Sequence, residues 1–222
     1  MVVKFVLTWK RGKFTLKIEN SRVQSLPNVV SFVALFFSCI SILLLLNGRF
    51  YFSFSFVLLA FILDALDGYL ARRLGQESSF GRQLDGFVDV FIFLIYPVLA
   101  FYLFFGLKDM ISTTILFGYI ATGIFRLARF NMTGFATTPE RDQMSYPGLP
   151  VFCNHITILF LLALRQFSGT YFFLIADTLL VLNSILMVQK FPFPKPKTLW
   201  PFILLILLVS VTMAWIEFYG VR

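Results

Sequence analysis

The chain reads as an all-α polytopic membrane protein, and three observations predict it. Hydrophobic residues fill 59% of the 222 positions and only 14% are charged, more apolar surface than a water-soluble domain of this size needs. About seven apolar segments follow one another, near 27–47, 50–72, 84–107, 109–130, 149–164, 170–189 and 199–219. Most are long enough for the ~20 helical residues that cross a hydrocarbon core. Lys and Arg then alternate along the termini and connections as 6, 1, 3, 1, 3, 1, 3 and 1, so that 15 of the 19 fall on one side. By the positive-inside rule that side is cytoplasmic, which puts the N-terminus inside and the C-terminus outside an integral, multi-pass cell membrane protein.

The net charge of +8 follows the loops, so no nucleic-acid partner is expected. Cys39 and Cys153 sit in or beside apolar runs and read as small packing residues. No polar stretch after Ser25 is long enough for a second domain. The expected organisation is a cytoplasmic amphipathic segment at 1–25 and a membrane-embedded domain at 26–222.

Taken in order, residues 1–25 are not a signal peptide, because Val2–Leu7 is too short and Lys4 interrupts it. Val3, Phe5, Leu7 and Trp9 alternate, and Phe14, Leu16 and Ile18 alternate against Lys13, Thr15, Lys17 and Glu19. Gly12 between them can take the positive φ of a turn. A small amphipathic β-hairpin on the membrane surface is expected, with a frayed basic tail as the alternative. The first apolar segment opens on Pro27 and Asn28. The second and third are joined by the short polar turn RLGQESSFGRQ and are therefore antiparallel neighbours. The fourth ends at Arg126 and Arg129. The fifth is short, so a six-helix core is the alternative count. His155, the only histidine, reads as hydrogen-bonded between helices, and Asp177 and Glu217 in the outer halves read as structural.

Four aspartates break this apolar pattern. Each ionisable residue in a membrane helix costs roughly 2.5–3.5 kcal/mol on insertion scales, so the group needs a compensating partner. Asp64 and Asp67 are three apart, Asp85 and Asp89 four apart, and each pair therefore shares a helix face. Gly68 and Ala71 lie beside the first pair and Gly81 beside the second, so both faces have little side-chain bulk. The antiparallel arrangement brings the carboxylates together near the cytoplasmic side. Pairing with Arg72, Arg73 or Arg82 is one alternative. A proton or ion relay is another, but the outer halves of the segments are nearly free of charge. Four clustered oxygens suit a hard divalent cation, Mg²⁺ or Mn²⁺, bound together with phosphate.

Asp64-Ala-Leu-Asp67-Gly68-Tyr-Leu-Ala71-Arg72, eight residues, Gly81, three residues, Asp85, three residues and Asp89 together resemble the signature of the CDP-alcohol phosphotransferases. RLARFN at Arg126–Asn131, GLP at Gly148–Pro150 and SILMVQKFPFPKPK at Ser184–Lys197 resemble that family's phosphatidylserine synthase branch. The resemblance implies two divalent ions held by Asp64, Asp67, Asp85 and Asp89, with Asp89 also the general base. It implies CDP-diacylglycerol and L-serine as substrates, phosphatidylserine and CMP as products, and a homodimer. Gly68, Ala71 and Gly81 would leave room for the cytidine, with Arg72 and Asn28 as further CDP contacts. Arg126 and Arg129 share a face, and Asn131 follows them. One arginine is expected to hold the serine carboxylate while the other supports the phosphate or the helix packing.

The chain departs from the branch pattern at two places. Val-Phe-Ile-Phe follows Asp89 where small or hydroxyl residues are expected, and GLP leads into Val-Phe-Cys-Asn. These departures keep another acceptor open: glycerol phosphate, inositol phosphate or choline. An ion-coupled transporter is the reading from a different class, and it predicts acids near the midplane of several segments, which the chain lacks.

Overall fold

The computed structural model describes residues 2–10, 13–21, 25–133, 136–137, 144–166, 169–194 and 200–220. β1 (Val2–Lys10) and β2 (Lys13–Ser21) pair antiparallel. Their register sets Phe5 opposite Ile18, Leu7 opposite Leu16 and Trp9 opposite Phe14. Directly opposed residues share a face of a two-stranded ribbon, so the two alternating patterns are in phase. The expected turn at Gly12 lies outside the described residues, as do the topological charges Arg11, Arg22, Arg141, Lys195, Lys197 and Arg222.

The described helices are α1 (Leu26–Leu46), α2 (Phe50–Arg73), α3 (Ser79–Val90), α4 (Tyr96–Leu103), α5 (Met110–Thr133), α6 (Cys153–Leu164), α7 (Phe172–Val188) and α8 (Trp200–Gly220). A π turn over Phe91–Ile95 joins α3 to α4, so the eight helices make seven rods. Local chemistry sets the ends. Pro27 stands in the first turn of α1, where its missing N–H is not needed. Ser78 accepts from Gly81 N at 2.9 Å and starts α3. Asp109 accepts from the N–H groups of Ile111 and Ser112 at 3.1 and 3.0 Å and starts α5.

Five of the rods are long and apolar enough to cross a bilayer, which makes the chain an integral, multi-pass membrane protein. α6 and α7 are shorter, at 12 and 17 residues. Twelve residues at a rise of ~1.5 Å span roughly 18 Å against ~30 Å of hydrocarbon, so the fifth segment is not by itself a full-length span. A small sheet absent from the sequence reading runs β3 (Ala136–Thr137), β4 (Met144–Pro147) and β5 (Pro192–Pro194), with β4 central and both pairings antiparallel. β4 precedes α6 and β5 follows α7, so α6 leaves one side of the bundle and α7 returns to it.

The first helix is sorted by size. On α1, Ser31, Ala34, Ser38 and Ser41 are buried while Val29, Phe32, Phe36 and Leu43 are exposed. Lipid solvates large apolar side chains as well as another helix does, so small residues go inward and let backbones approach. Ser53 bonds the Ser41 carbonyl at 2.7 Å, and Ser55 meets Ser210 of α8 at 2.9 Å. His155 differs from expectation. Among the described residues it makes no hydrogen bond to another helix, because its ring is enclosed by Phe54, Phe61, Phe93 and Tyr96.

Candidate active site

The last turns of α2 and the body of α3 carry the four aspartates to the end of the bundle where α1 begins and α5 finishes. One carboxylate oxygen each from Asp64, Asp67 and Asp85 falls within a group whose members all lie within 4.8 Å of one another. Asp89, one turn farther along α3, stands outside that triad but interacts electrostatically with Asp64, Asp67 and Asp85. From α1, Ser31 donates to Asp67 Oδ2. Asn28, one turn earlier and buried, lies against the start of α3: a Cβ added at Gly81 would sit 3.0 Å from Asn28 Oδ1. Glycine at 81 is therefore what lets α1 and α3 close over the cluster.

Arg72 acts electrostatically on Asp67 and Asp85 from the exposed mouth of the site. Its guanidinium lies over Gly68, where an added Cβ would stand 3.5 Å from Nη1. Ala71, half-buried, adds little bulk beside it. Arg73 turns elsewhere and donates to the Tyr69 hydroxyl at 3.2 Å. Asp64 Oδ1 is buried with no hydrogen-bond partner among the described residues. An acceptor-only set of carboxylates with one oxygen left over fits a hard divalent cation, and Asp64, Asp67 and Asp85 could hold one.

The two arginines of α5 share a face but do different things. Arg126, 4% exposed, interacts electrostatically with Asp89 and with Cys153 at the start of α6. Arg129 donates to the carbonyls of Pro147, Met187 and Val188 at 2.9, 3.0 and 2.5 Å. A cation on the exposed carbonyls of a helix C-terminus is favourable, so Arg129 ties α5 to the end of α7 and to β4. Asn131 is exposed and its amide lies beside Gly86, where an added Cβ would come within 2.8 Å of Nδ2. Asn28, Gly81 and the aspartate triad thus form one group, Arg126 joins it through Asp89, and Arg129 is bound to the carbonyls of β4 and α7. Sequence reasoning missed Ser31. Its signal was the small-residue stripe Asn28, Ser31, Ala34, Ser38 and Ser41, spaced at three and four along an otherwise Phe- and Leu-rich helix.

Known proteins match this chain along most of its length. Residues 24–176 match the model of the CDP-alcohol phosphatidyltransferase family. The CDP-diacylglycerol–serine O-phosphatidyltransferase of Helicobacter pylori is 29% identical over 196 residues, covering 83% of this chain and 80% of that protein. The protein of the same name from Methanocaldococcus jannaschii is 34% identical over 146 residues, 64% of each chain. The archaetidylserine synthase of Methanothermobacter thermautotrophicus is 30% identical over 176 residues, 77% of this chain and 70% of that protein. With over half its length inside the family model and its aspartates at the motif positions, the chain belongs to the CDP-alcohol phosphatidyltransferase family.

Proposed function

We propose that the chain makes phosphatidylserine and CMP from CDP-diacylglycerol and L-serine. The serine hydroxyl oxygen attacks the phosphatidyl phosphorus, the bond from phosphorus to the CMP oxygen breaks, and the hydroxyl proton passes to the Asp89 carboxylate. Two divalent cations, Mg²⁺ or Mn²⁺, held by Asp64, Asp67, Asp85 and Asp89, would supply the positive charge that offsets the pyrophosphate and the departing CMP. Gly68, Ala71 and Gly81 leave space for the cytidine, which Asn28 and Arg72 border. Arg126 holds the serine carboxylate, since a buried anion needs a cation with hydrogen bonds. Asn131 adds a neutral contact, and Arg129 supports the helix packing.

One observation carries this reading: the aspartate triad stands beside Asp89, and Asp89 beside a buried arginine. The names of the relatives support serine as the acceptor. The charge distribution supports a cytoplasmic N-terminus and active site. The lipid substrate would enter sideways from the bilayer, and the family resemblance supports a homodimer. The test is CMP release by purified protein in detergent with CDP-diacylglycerol, Mn²⁺ and serine, glycerol phosphate, inositol phosphate, choline or ethanolamine. Turnover with serine alone is expected, and choline or ethanolamine performing as well as serine overturns the assignment.

A further inference from the structure

We propose that Asn154 is a positioning residue for the transfer: it fixes the π turn between α3 and α4 and so sets the direction in which α3 presents Asp85 and Asp89. Pro97 has no N–H, so in a regular helix the carbonyl of Phe93, four residues earlier, would lack its donor. Asn154, fully buried at the start of α6, supplies it: Nδ2 donates to Phe93 O at 2.7 Å. Its neighbours hold the same junction. His155 packs edge-on against Phe93 within the turn and parallel to Tyr96 just after it. Cys153 interacts electrostatically with Arg126, the arginine that faces Asp89.

The two halves of the rod are held very unequally. Tyr96, Ala100 and Phe101 of α4 are fully buried, whereas Val88 is the only buried residue of α3. One residue more or less in the turn rotates one half against the other by about 100°. With α4 anchored by packing, that rotation falls on α3 and its aspartates. The hydrogen bond joins the backbone of the Val-Phe-Ile-Phe stretch after Asp89 to the side chain that ends the Val-Phe-Cys-Asn stretch after GLP, the two stretches at which the chain leaves the branch pattern.

The inference rests on Asp89 acting in the chemistry. Asn154→Leu, which keeps the branched heavy-atom outline and removes the donor, is expected to lower kcat on the order of 10- to 100-fold, with the KM for CDP-diacylglycerol and for serine unchanged. Asn154→Gln, which keeps a donor, should retain more of kcat than Asn154→Leu. Pro97→Ala in the Asn154→Leu background restores a backbone N–H toward Phe93 O and also serves if the single variant does not fold. It should recover thermal stability but not kcat. Recovery of kcat together with stability would reduce Asn154 to satisfying a carbonyl and overturn the proposal, as would a wild-type kcat in Asn154→Leu. An Asp89→Asn protein with ordinary turnover would instead remove the assignment of Asp89, whatever the Asn154 variants do.

Discussion

The two ends of the bundle treat carboxylates in opposite ways. At the end away from the cluster, Asp177 accepts from the Ser112 hydroxyl at 2.9 Å, Glu217 accepts from Tyr51 N at 3.2 Å, and Asp109 caps α5. Each of these acids has a donor supplied by the chain, although Asp177 Oδ1, like Asp64 Oδ1, is buried without a hydrogen-bond partner among the described residues, so the two ends differ in crowding rather than in one leftover oxygen. In the cluster, four acids crowd together, Ser31 serves Asp67, and Asp64 Oδ1 is left over. An acid satisfied by its own fold is a structural part. Acids set against one another on two helices could instead hold a cation that offsets their charge.

The sharpest break of this comparison is all-or-none. In a background without Cys39 and Cys153, cysteines placed at Gln76 and Ser145 should be labelled from the cytoplasm and one at Gly169 from outside. Labelling of Gly169 and Ser145 from the same side would show that α6 and α7 do not form an out-and-back pair.

Next in size is chemistry. Asp64→Asn, Asp67→Asn, Asp85→Asn and Asp89→Asn should each cut CMP release by at least ~100-fold, while thermal stability holds because each change relieves repulsion within the cluster. EDTA should silence the wild type and Mn²⁺ or Mg²⁺ restore it. Asp177→Asn and Glu217→Gln should remain active, and an inactive Asp177→Asn protein of normal stability would erase the distinction between the two ends.

A smaller effect separates the arginines. Arg126→Lys should raise the serine KM by roughly tenfold with the CDP-diacylglycerol KM unchanged, because an ammonium replaces a planar guanidinium poorly at a carboxylate. Arg129→Lys should act on the melting temperature instead, since one ammonium cannot reach all the carbonyls that Arg129 now joins. A serine titration of both proteins, paired with thermal unfolding, checks this.

The smallest effects lie at the outer end. Glu217→Gln should cost no more than about 0.5–1.5 kcal/mol, the usual net worth of a hydrogen bond. The nearby Ser112 side chain and the hydrogen bonds from the Ser112 and Ile111 N–H groups hold the Asp109 carboxyl below the usual carboxylate range. Its contribution is therefore present above the unfolded-state value and is lost as pH falls through the lower folded-state value. Asp109→Ala should remove this part of the acid sensitivity in a pH series of melting curves and leave CMP release at neutral pH alone.

Hydropathy and charge placement revealed the helices, because a membrane chain writes its spans into long runs of one solvent preference. The aspartates were legible for the same reason: a carboxylate in such a run is conspicuous, and spacing of three or four settles which face it shares. Arg126 and Arg129 were found by the same spacing, yet their different partners were not. Arg129 meets backbone carbonyls from β4 and the end of α7, some 18 to 60 positions away in the chain, while Arg126 interacts with Asp89 of α3 and Cys153 of α6. The β3–β4–β5 sheet carries two to four residues per strand and several prolines, too little to show an alternation. The π turn was hidden because Pro97 sits in a run that reads as unbroken helix, and its compensating donor comes from α6.

The inverted sizes on α1 carry a consequence for how this chain tolerates change. On its lipid-facing side, exchange of Phe32, Phe36 or Leu43 for another bulky apolar residue swaps one oil-like group for another in a fluid that adapts to either. On the inner side the neighbouring backbone stands where a longer side chain would go, so Ser38→Leu or Ala34→Phe overpacks a rigid contact at a typical cost of ~1–3 kcal/mol. Variation among homologues of this helix should therefore be ruled by volume rather than polarity. Drift is free where the residues are largest and forbidden where they are smallest, the reverse of what the core of a water-soluble protein allows.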